Sequence, residues 1–530
     1  MKKGCKINQS RLTDEHSIVV GTDARAETFA QHVATIQWHV RLRTPVPGAD
    51  PELFPLLPVE EQPFSQIELR KAIPCLKSGK ATRAGDIPVE FLKALAAEAG
   101  PSLQCFFDLC NDCINMQQFP IQWLTSRVVI IFKKGDPAIC DNYRPISVLA
   151  ISYKVVASML KQRFLKAGLD ERLWHTQYGF RRNRSTTDAI FVARRKIETA
   201  CAQRNGCVSL LALDWAKAFD SLNVESLLDA LRRFGISASI REVIAVLMKH
   251  REFYVDDAGH QSERRPQKSG ITQGCTLSPL LFIVVMSALM HDAVESLSPD
   301  AKAAYLRGDL ADVAYASDTL LLGISSTHLT EFLAAVAASG RRYGMDLHYS
   351  KFQLLNVQCD MRVLRPDGVP VCASPGMVYL GTVLSDSGTI DSELSRRIGQ
   401  ARSEFRSLSK VWRRSNLTRK RKLAIFRSLV ETKLLYSLSC CCLNMAQQRR
   451  PNGFQAKCLR QIMAIPSSFI SRVSNKEVLR RAQYPEATAL LMQSQLQILG
   501  KVIRAAATSQ LHSCALPSSH LSMATSFATG

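Results

Sequence analysis

Between Val313 and Leu322 the chain is apolar except for one short polar break, Ser317-Asp318-Thr319. Two apolar arms separated by so short a break read as strand, turn, strand, with Tyr315-Ala316-Ser317-Asp318 at the tip. The rest of the middle section fits a mixed α and β architecture. Strands are expected at Val128–Phe132 and Val208–Leu213, and a hairpin from Phe253–Val255 and Glu263–Pro266. Helices are expected at Ile151–Ala167, Val224–Phe234, Ile240–His250, Leu280–Leu297 and Leu329–Arg342, with Ser65 and Glu68 forming a capping box on an earlier one.

At 530 residues the chain is too long for a single ordinary domain. Lys and Arg number 68 against 46 Asp and Glu, a formal charge of +22. That excess points to a polyanionic partner, nucleic acid first. Sixteen cysteines without a secretory leader suggest free thiols in a reducing, intracellular setting. Cys110-x-x-Cys113 has no second Cys or His pair at zinc-finger spacing, and Cys440-Cys441-Cys442 follows a helical apolar pattern, so burial is expected for both groups. The longest apolar stretch, Leu277 to Met290, reads as a buried helix too short to span a bilayer, and no membrane partner is expected.

Residues 1–64 are weakly patterned, with a possible amphipathic helix at Ala26–Val40 and a linker at Pro45–Pro51. From about 392 the chain is helical and basic. Eleven Lys and Arg fall between Arg396 and Lys422, namely 396, 397, 402, 406, 410, 413, 414 and 419–422. Residues 505–530 read as a disordered Ser/Ala/Thr-rich tail.

Two segments carry candidate chemistry. The strand Val208–Leu213 delivers Asp214 at its C-terminal end, where a carboxylate can hold Mg²⁺; Asp220 and Phe219 follow. In Gly270-Ile-Thr-Gln273-Gly274-Cys-Thr-Leu-Ser278-Pro279, two glycines flank a polar turn and permit close backbone approach to a ligand. Ser278 and Pro279 then fit the N-cap and first position of a helix.

The order of these blocks resembles the reverse transcriptase of non-LTR (LINE-type) retrotransposons. Upstream agreement includes Gly85-Asp86-Ile87-Pro88, Phe132-Lys133-Lys134-Gly135-Asp136, Asn142-Tyr143-Arg144-Pro145 and Gln177-Tyr178-Gly179-Phe180-Arg181. Downstream it includes Gly344-Met345, Tyr379-Leu380-Gly381 and Leu434-Leu435-Tyr436. The resemblance covers residues 65 to 504. It implies an α+β right-hand polymerase fold with fingers at 65–204, palm at 205–391, a helical thumb at 392–504, and 1–64 and 505–530 outside it.

The resemblance also implies roles. Asp214 and Asp318 would hold two Mg²⁺ ions, with Mn²⁺ as the alternative, and Lys351 would be a general acid for pyrophosphate. Lys133, Lys134 and Arg144 would neutralise the triphosphate. Phe219 would pack under the deoxyribose, and Gln273 and Gly274 would line the nucleotide and template. Arg181 and Arg184 would meet the template, and Tyr379, Leu380 and Gly381 would grip the primer. The partners implied are an RNA template, a DNA primer and dNTPs, with the basic thumb following the duplex backbone.

Two departures stand out. Ser317 takes the place of the first Asp in the aromatic-Ala-Asp-Asp pattern, removing one negative charge from the metal site. Loss of ~4 kcal/mol of charge stabilisation corresponds to about a thousandfold in rate. Asp312 is too far along the strand to substitute, and His348 stands where Asn is usual. The expectation is a polymerase domain of reduced activity, in a truncated copy without the endonuclease; the alternative is an inactive nucleic-acid-binding remnant.

Overall fold

The structure, a computed structural model, describes residues 12–13, 18–40, 50–80, 82, 85–98, 100–414 and 416–516. In chain order its strands are β1 (Thr125–Phe132), β2 (Tyr143–Val148), β3 (Val208–Leu213), β4 (Glu252–Asp257), β5 (His260–Gln261), β6 (Arg265–Pro266), β7 (Leu310–Tyr315), β8 (Asp318–Gly323), β9 (Gln353–Val357), β10 (Gly376–Tyr379) and β11 (Thr382–Ser385). They form three sheets: β2-β1-β4-β5 with β6 joined to β4, β7-β8-β3-β9, and the hairpin β10-β11. The chain divides into two compact units. One comprises Met1–Phe180, Asp214–Ser298 and Ala334–His348; the other comprises Arg181–Leu213, Pro299–Leu333 and Tyr349–Gly530.

The first unit is built on the five-stranded sheet. β1 runs antiparallel to β2, with Ile131 opposite Arg144, and parallel to β4, with Val128 opposite Val255. One face of that sheet is covered by the helix Arg25–His32 and the π-turn Val33–Gln37 that continues it. Phe29, Ala30, Val33 and Trp38 pack there with Val128, Tyr143, Phe253 and Val255 in one buried cluster. The weak amphipathic pattern at Ala26–Val40 therefore marks a core element. Most of the linker expected at Pro45–Pro51 lies outside the described residues.

Two polar devices fix helices in this unit. Ser65 and Glu68 form the expected capping box, and the same Glu68 carboxylate takes the buried Arg163 guanidinium at 2.7 Å. Deeper in the core, Arg233 pairs with Asp292 at 2.6 Å, and Tyr343 donates to the same carboxylate at 2.9 Å. An ion pair this dry is held by its full set of partners, because removing one leaves an uncompensated buried charge.

The central helix is Ser278–Glu295, with 83% of its length buried. It is longer than the apolar run alone indicated, and long and apolar enough on those counts to cross a membrane. It is apolar all round because it is surrounded by protein. The expected cap is off by one position: Leu277 precedes the helix, Ser278 is already inside it, and its Oγ finds no partner.

The second unit contains the four-stranded sheet. β3 lies between β8 and β9 and is antiparallel to both. Every residue of β8 after Asp318 is buried, as are five of the six in β3. Burial on both faces explains why these strands read as continuous apolar runs rather than alternating ones. From Asp391 onward the unit is helical, in agreement with the sequence. The expected tail is corrected in part, since Gln510–Ala515 is a helix and Gln510 Nε2 donates to the Asp312 carbonyl at 2.9 Å. Residues 517–530 lie outside the described residues. All fifteen cysteines among the described residues are free thiols; Cys110, Cys113, Cys440 and Cys441 are buried, whereas Cys442 is exposed and corrects that expectation.

Candidate functional site

In the second unit the β7–β8 hairpin turns through Ala316 and Ser317, between the paired residues Tyr315 and Asp318. Ala316 adopts a left-handed φ of 55°, which reverses the chain in two residues. The tip leaves Asp318 exposed and Ser317 half-buried. The next residue, Thr319, pairs with Leu213, the last residue of β3. The hairpin tip thus lies at the end of the sheet where β3 terminates, and Asp214 is the following residue in the chain.

Asp312 is three rungs back from the tip, opposite Leu321 and fully buried, where it accepts from the Tyr305 hydroxyl at 2.7 Å. It does not reach the turn, as the sequence indicated. Lys351 ends a short 3₁₀ turn, is exposed, and stands two residues before Gln353, which pairs with Ala212. It therefore belongs to the same end of the sheet as Asp318.

The Tyr379-Leu380-Gly381 turn is fixed to its surroundings in the same unit. Tyr379 donates from its hydroxyl to the Val313 carbonyl at 3.3 Å, and Tyr436 donates to the Leu380 carbonyl at 2.7 Å. Arg396 and Arg397, at the start of the helix Asp391–Ser407, both donate to the Gly381 carbonyl. Both guanidiniums are held by Glu393, which is fully buried and also accepts from the Val383 amide at 2.9 Å and the Ser437 hydroxyl at 3.0 Å. Burial pulls the Glu393 carboxyl upward. The Val383 amide and the two arginines outweigh it and hold the group below its usual range.

This corrects the reading of the basic run. Arg396 and Arg397 are committed to the turn, and Lys422 donates to the Trp412 carbonyl at 3.0 Å. Arg402, Arg406, Lys410, Arg413, Arg419, Lys420 and Arg421 remain exposed. Arg181 and Arg184 are half-buried, just before the helix Thr186–Ala202. Its capping residue Asp188 also takes Lys501 at 2.9 Å.

In the first unit, Asp214 is half-buried and its carbonyl accepts from the His348 amide at 2.7 Å. Phe219 stacks on Phe282 at 4.1 Å, with Phe180 edge-on at 6.2 Å. The polar turn is pressed against its neighbours. A Cβ on Gly270 would stand 2.6 Å from the Asp220 carbonyl, and one on Gly274 would stand 2.3 Å from the Ser147 carbonyl. Both glycines have positive φ, at 71° and 129°, so close approach and backbone conformation require them together. The Gln273 carbonyl accepts from the Ser147 amide at 3.0 Å, which joins the turn to β2.

Lys133 follows β1, and Arg144 lies on β2 beside it. Both are exposed, and neither is in an ion pair among the described residues. Partial burial and then the Arg144 guanidinium push the Lys133 ammonium below its usual range, the mark of two cations crowded together. Lys134 follows in the exposed turn. Lys133, Lys134, Arg144, Phe219, Gln273 and Gly274 all fall in the first unit.

Two residues, Trp38 and Arg251, escaped the sequence reading, and a third, Asp220, was given no role there. Asp220 is buried and accepts from Gln273 Nε2 at 3.1 Å and from Trp38 Nε1 at 3.1 Å. Arg251 is buried and donates to the Gly270 carbonyl at 2.8 Å and to Thr272 Oγ1 at 2.9 Å, and burial lowers its pKa to about 10. Trp38 and Arg251 are far in sequence from the loops they hold, so no local pattern marks them. Asp220 carried a signal in its place beside Phe219.

Residues 131–384 match the family model of reverse transcriptase (RNA-dependent DNA polymerase). The match encloses every site residue expected from the sequence, from Lys133 to Gly381. The chain is 25% identical over 434 residues to a probable RNA-directed DNA polymerase from transposon BS of Drosophila melanogaster, covering 78% of this chain and 47% of the relative. It is 26% identical over 323 residues to a retrovirus-related Pol polyprotein from type-1 retrotransposable element R2 of Popillia japonica, covering 60% and 45%. It is 25% identical over 389 residues to the RNA-directed DNA polymerase from mobile element jockey of Drosophila melanogaster, covering 69% and 40%. The chain thus spans less than half the length of each of these relatives. Residues 131–384 thus carry an α+β reverse transcriptase domain of the right-hand polymerase fold, and the chain is similar over much of its length to the RNA-directed DNA polymerases of non-LTR retrotransposons.

Proposed function

We propose that this domain adds deoxynucleotides from dNTPs to a primer 3′-hydroxyl on an RNA template, at a rate reduced by Ser317. The observation that carries the reading is the register of the hairpin tip: Asp318 is exposed at the end of the sheet where β3 stops and Asp214 follows. Fingers, palm and thumb would correspond to residues 65–204, 205–391 and 392–504.

The donor set fits a divalent cation. Mg²⁺ takes one or two carboxylates and completes its shell with water and substrate phosphates, and Asp214 and Asp318 would supply those carboxylates. Mn²⁺ accepts the same oxygen donors. Ions bound there supply charge neutralisation for the attacking oxygen and the leaving pyrophosphate. Ser317 contributes a neutral hydroxyl where a third carboxylate would bring the site another negative charge.

The remaining residues bind and orient. Lys133, Lys134 and Arg144 would meet the triphosphate. Phe219, backed by Phe282, would form the floor under the sugar and exclude a 2′-hydroxyl by contact. Gln273 and Gly274 would face the base pair, Lys351 would protonate pyrophosphate, and Arg181 and Arg184 would meet the template. The Tyr379–Gly381 turn would hold the primer end.

A second reading, an inactive nucleic-acid-binding domain, is favoured by Ser317 alone. One paired assay decides between them: primer extension on an RNA–DNA hybrid by the parent and by Ser317→Asp. The first reading expects measurable parent activity, raised by up to about a thousandfold in the variant. Two equally inactive proteins that still bind hybrid would support the second.

A further inference from the structure

Asp220 poses a problem that the roles assigned above leave open. Its side chain is 7% exposed, and its contacts are two neutral donors, Trp38 Nε1 at 3.1 Å and Gln273 Nε2 at 3.1 and 3.3 Å to its two oxygens. A buried carboxylate without a contacting cation costs stability, and an apolar residue would fill the space at lower cost. Burial accordingly pushes the Asp220 carboxyl above its usual range, against the pull of Trp38 and Gln273 and of Lys133 and Lys217 farther off. Polar groups kept at such a cost gather where function needs them.

The geometry shows what the carboxylate does. A carboxylate only accepts, so it forces the amide nitrogen of Gln273 toward itself and fixes which way that amide faces. The opposite anchor is Trp38, 2% exposed, with its indole edge-on to Phe253 at 4.6 Å. Ser269 Oγ ties the same strands of chain together, lying 3.1 Å from both the His39 and the Asp220 carbonyls.

We propose that Trp38 is a positioning residue of the nucleotide pocket, acting through Asp220 to fix the Gln273 amide, so that the segment ahead of the first sheet is part of the site. The inference rests on the reading that Gln273 faces the incoming nucleotide.

The test uses the full chain on an RNA–DNA hybrid with a templating cytosine, and measures binding of a fluorescent dGTP analogue, hybrid affinity and melting temperature. Trp38→Phe keeps the ring and removes the donor. It is expected to weaken nucleotide binding about tenfold, the worth of one such hydrogen bond, with hybrid affinity unchanged, while the melting temperature falls because the buried carboxylate loses a donor. Asp220→Asn keeps the shape and should give a similar loss, and it carries the test if Trp38→Phe does not fold. Combined with Gln273→Ala, Trp38→Phe should cause no further loss, because both act through one amide. Nucleotide affinity equal to the parent's, losses that fall equally on nucleotide and hybrid, or additive losses with Gln273→Ala would each overturn the proposal. A parent that binds hybrid but no nucleotide would overturn the polymerase reading itself, and this inference with it.

Discussion

Glu393→Ala is expected to release the Tyr379-Leu380-Gly381 turn while the surrounding helices stay folded. The wild-type carboxylate is fully buried and collects the Val383 amide, the Ser437 hydroxyl and the two guanidiniums that hold the Gly381 carbonyl. Truncation leaves Arg397, itself 6% exposed, as a buried cation without its counter-charge. Breaking a buried pair from one side costs ~3–5 kcal/mol, which raises the opening constant of the hairpin by about two to four orders of magnitude. Amide hydrogen exchange over β10 and β11 reads that opening directly. Exchange within about threefold of the parent there would refute the argument that this network holds the turn.

The same network has a pH signature. Its folded carboxyl lies below its unfolded value of about 4.5, so its contribution is complete above that value and is lost as pH falls through the folded pKa. Protection of the hairpin, corrected for intrinsic exchange, should therefore decline in acid for the parent and hold level in Glu393→Gln.

Gly274→Ala should destabilise the first unit by about 1–3 kcal/mol, seen as a lower melting temperature, because its Cβ would collide with the Ser147 carbonyl at 2.3 Å. Parent binding to an RNA–DNA hybrid should fall steeply with salt, and reversing two exposed cations, Arg406→Glu with Lys410→Glu, should reduce the log–log slope by about two. Affinity that does not change with salt would contradict the role given to those helices.

The elements that carry the candidate site are legible in the local sequence because they are short and strongly patterned. β3 and the β7–β8 hairpin are largely apolar runs whose polar breaks carry or adjoin Asp214 and Asp318, so strand boundaries and candidate ligands coincide in the sequence. The glycines at 270 and 274 were legible for a related reason: a tight polar turn followed by a helix leaves few alternatives. The helix at Arg25–His32 was harder to weigh. Its apolar stripe is short, and its importance comes from Val128, Phe253 and Val255, which lie more than ninety residues away. The sequence puts the cap at Ser278, one residue past the observed Leu277, because helix boundaries are the least sharply encoded part of an element.

By itself the sequence determined the class of fold, the likeness to reverse transcriptases and the serine at position 317 of the hairpin tip, since each depends on residue type and order. Tertiary structure decided how the basic residues are divided. Arg396 and Arg397 look like their neighbours in the sequence but end on a buried glutamate and a turn carbonyl, while Arg402, Arg406 and Lys410 face solvent. It also decided that Trp38 and Arg251 support the turn at Gln273. Both results rest on which distant groups become neighbours once water is excluded, and a hydrogen bond between residues 38 and 220 leaves no trace in the local pattern of either.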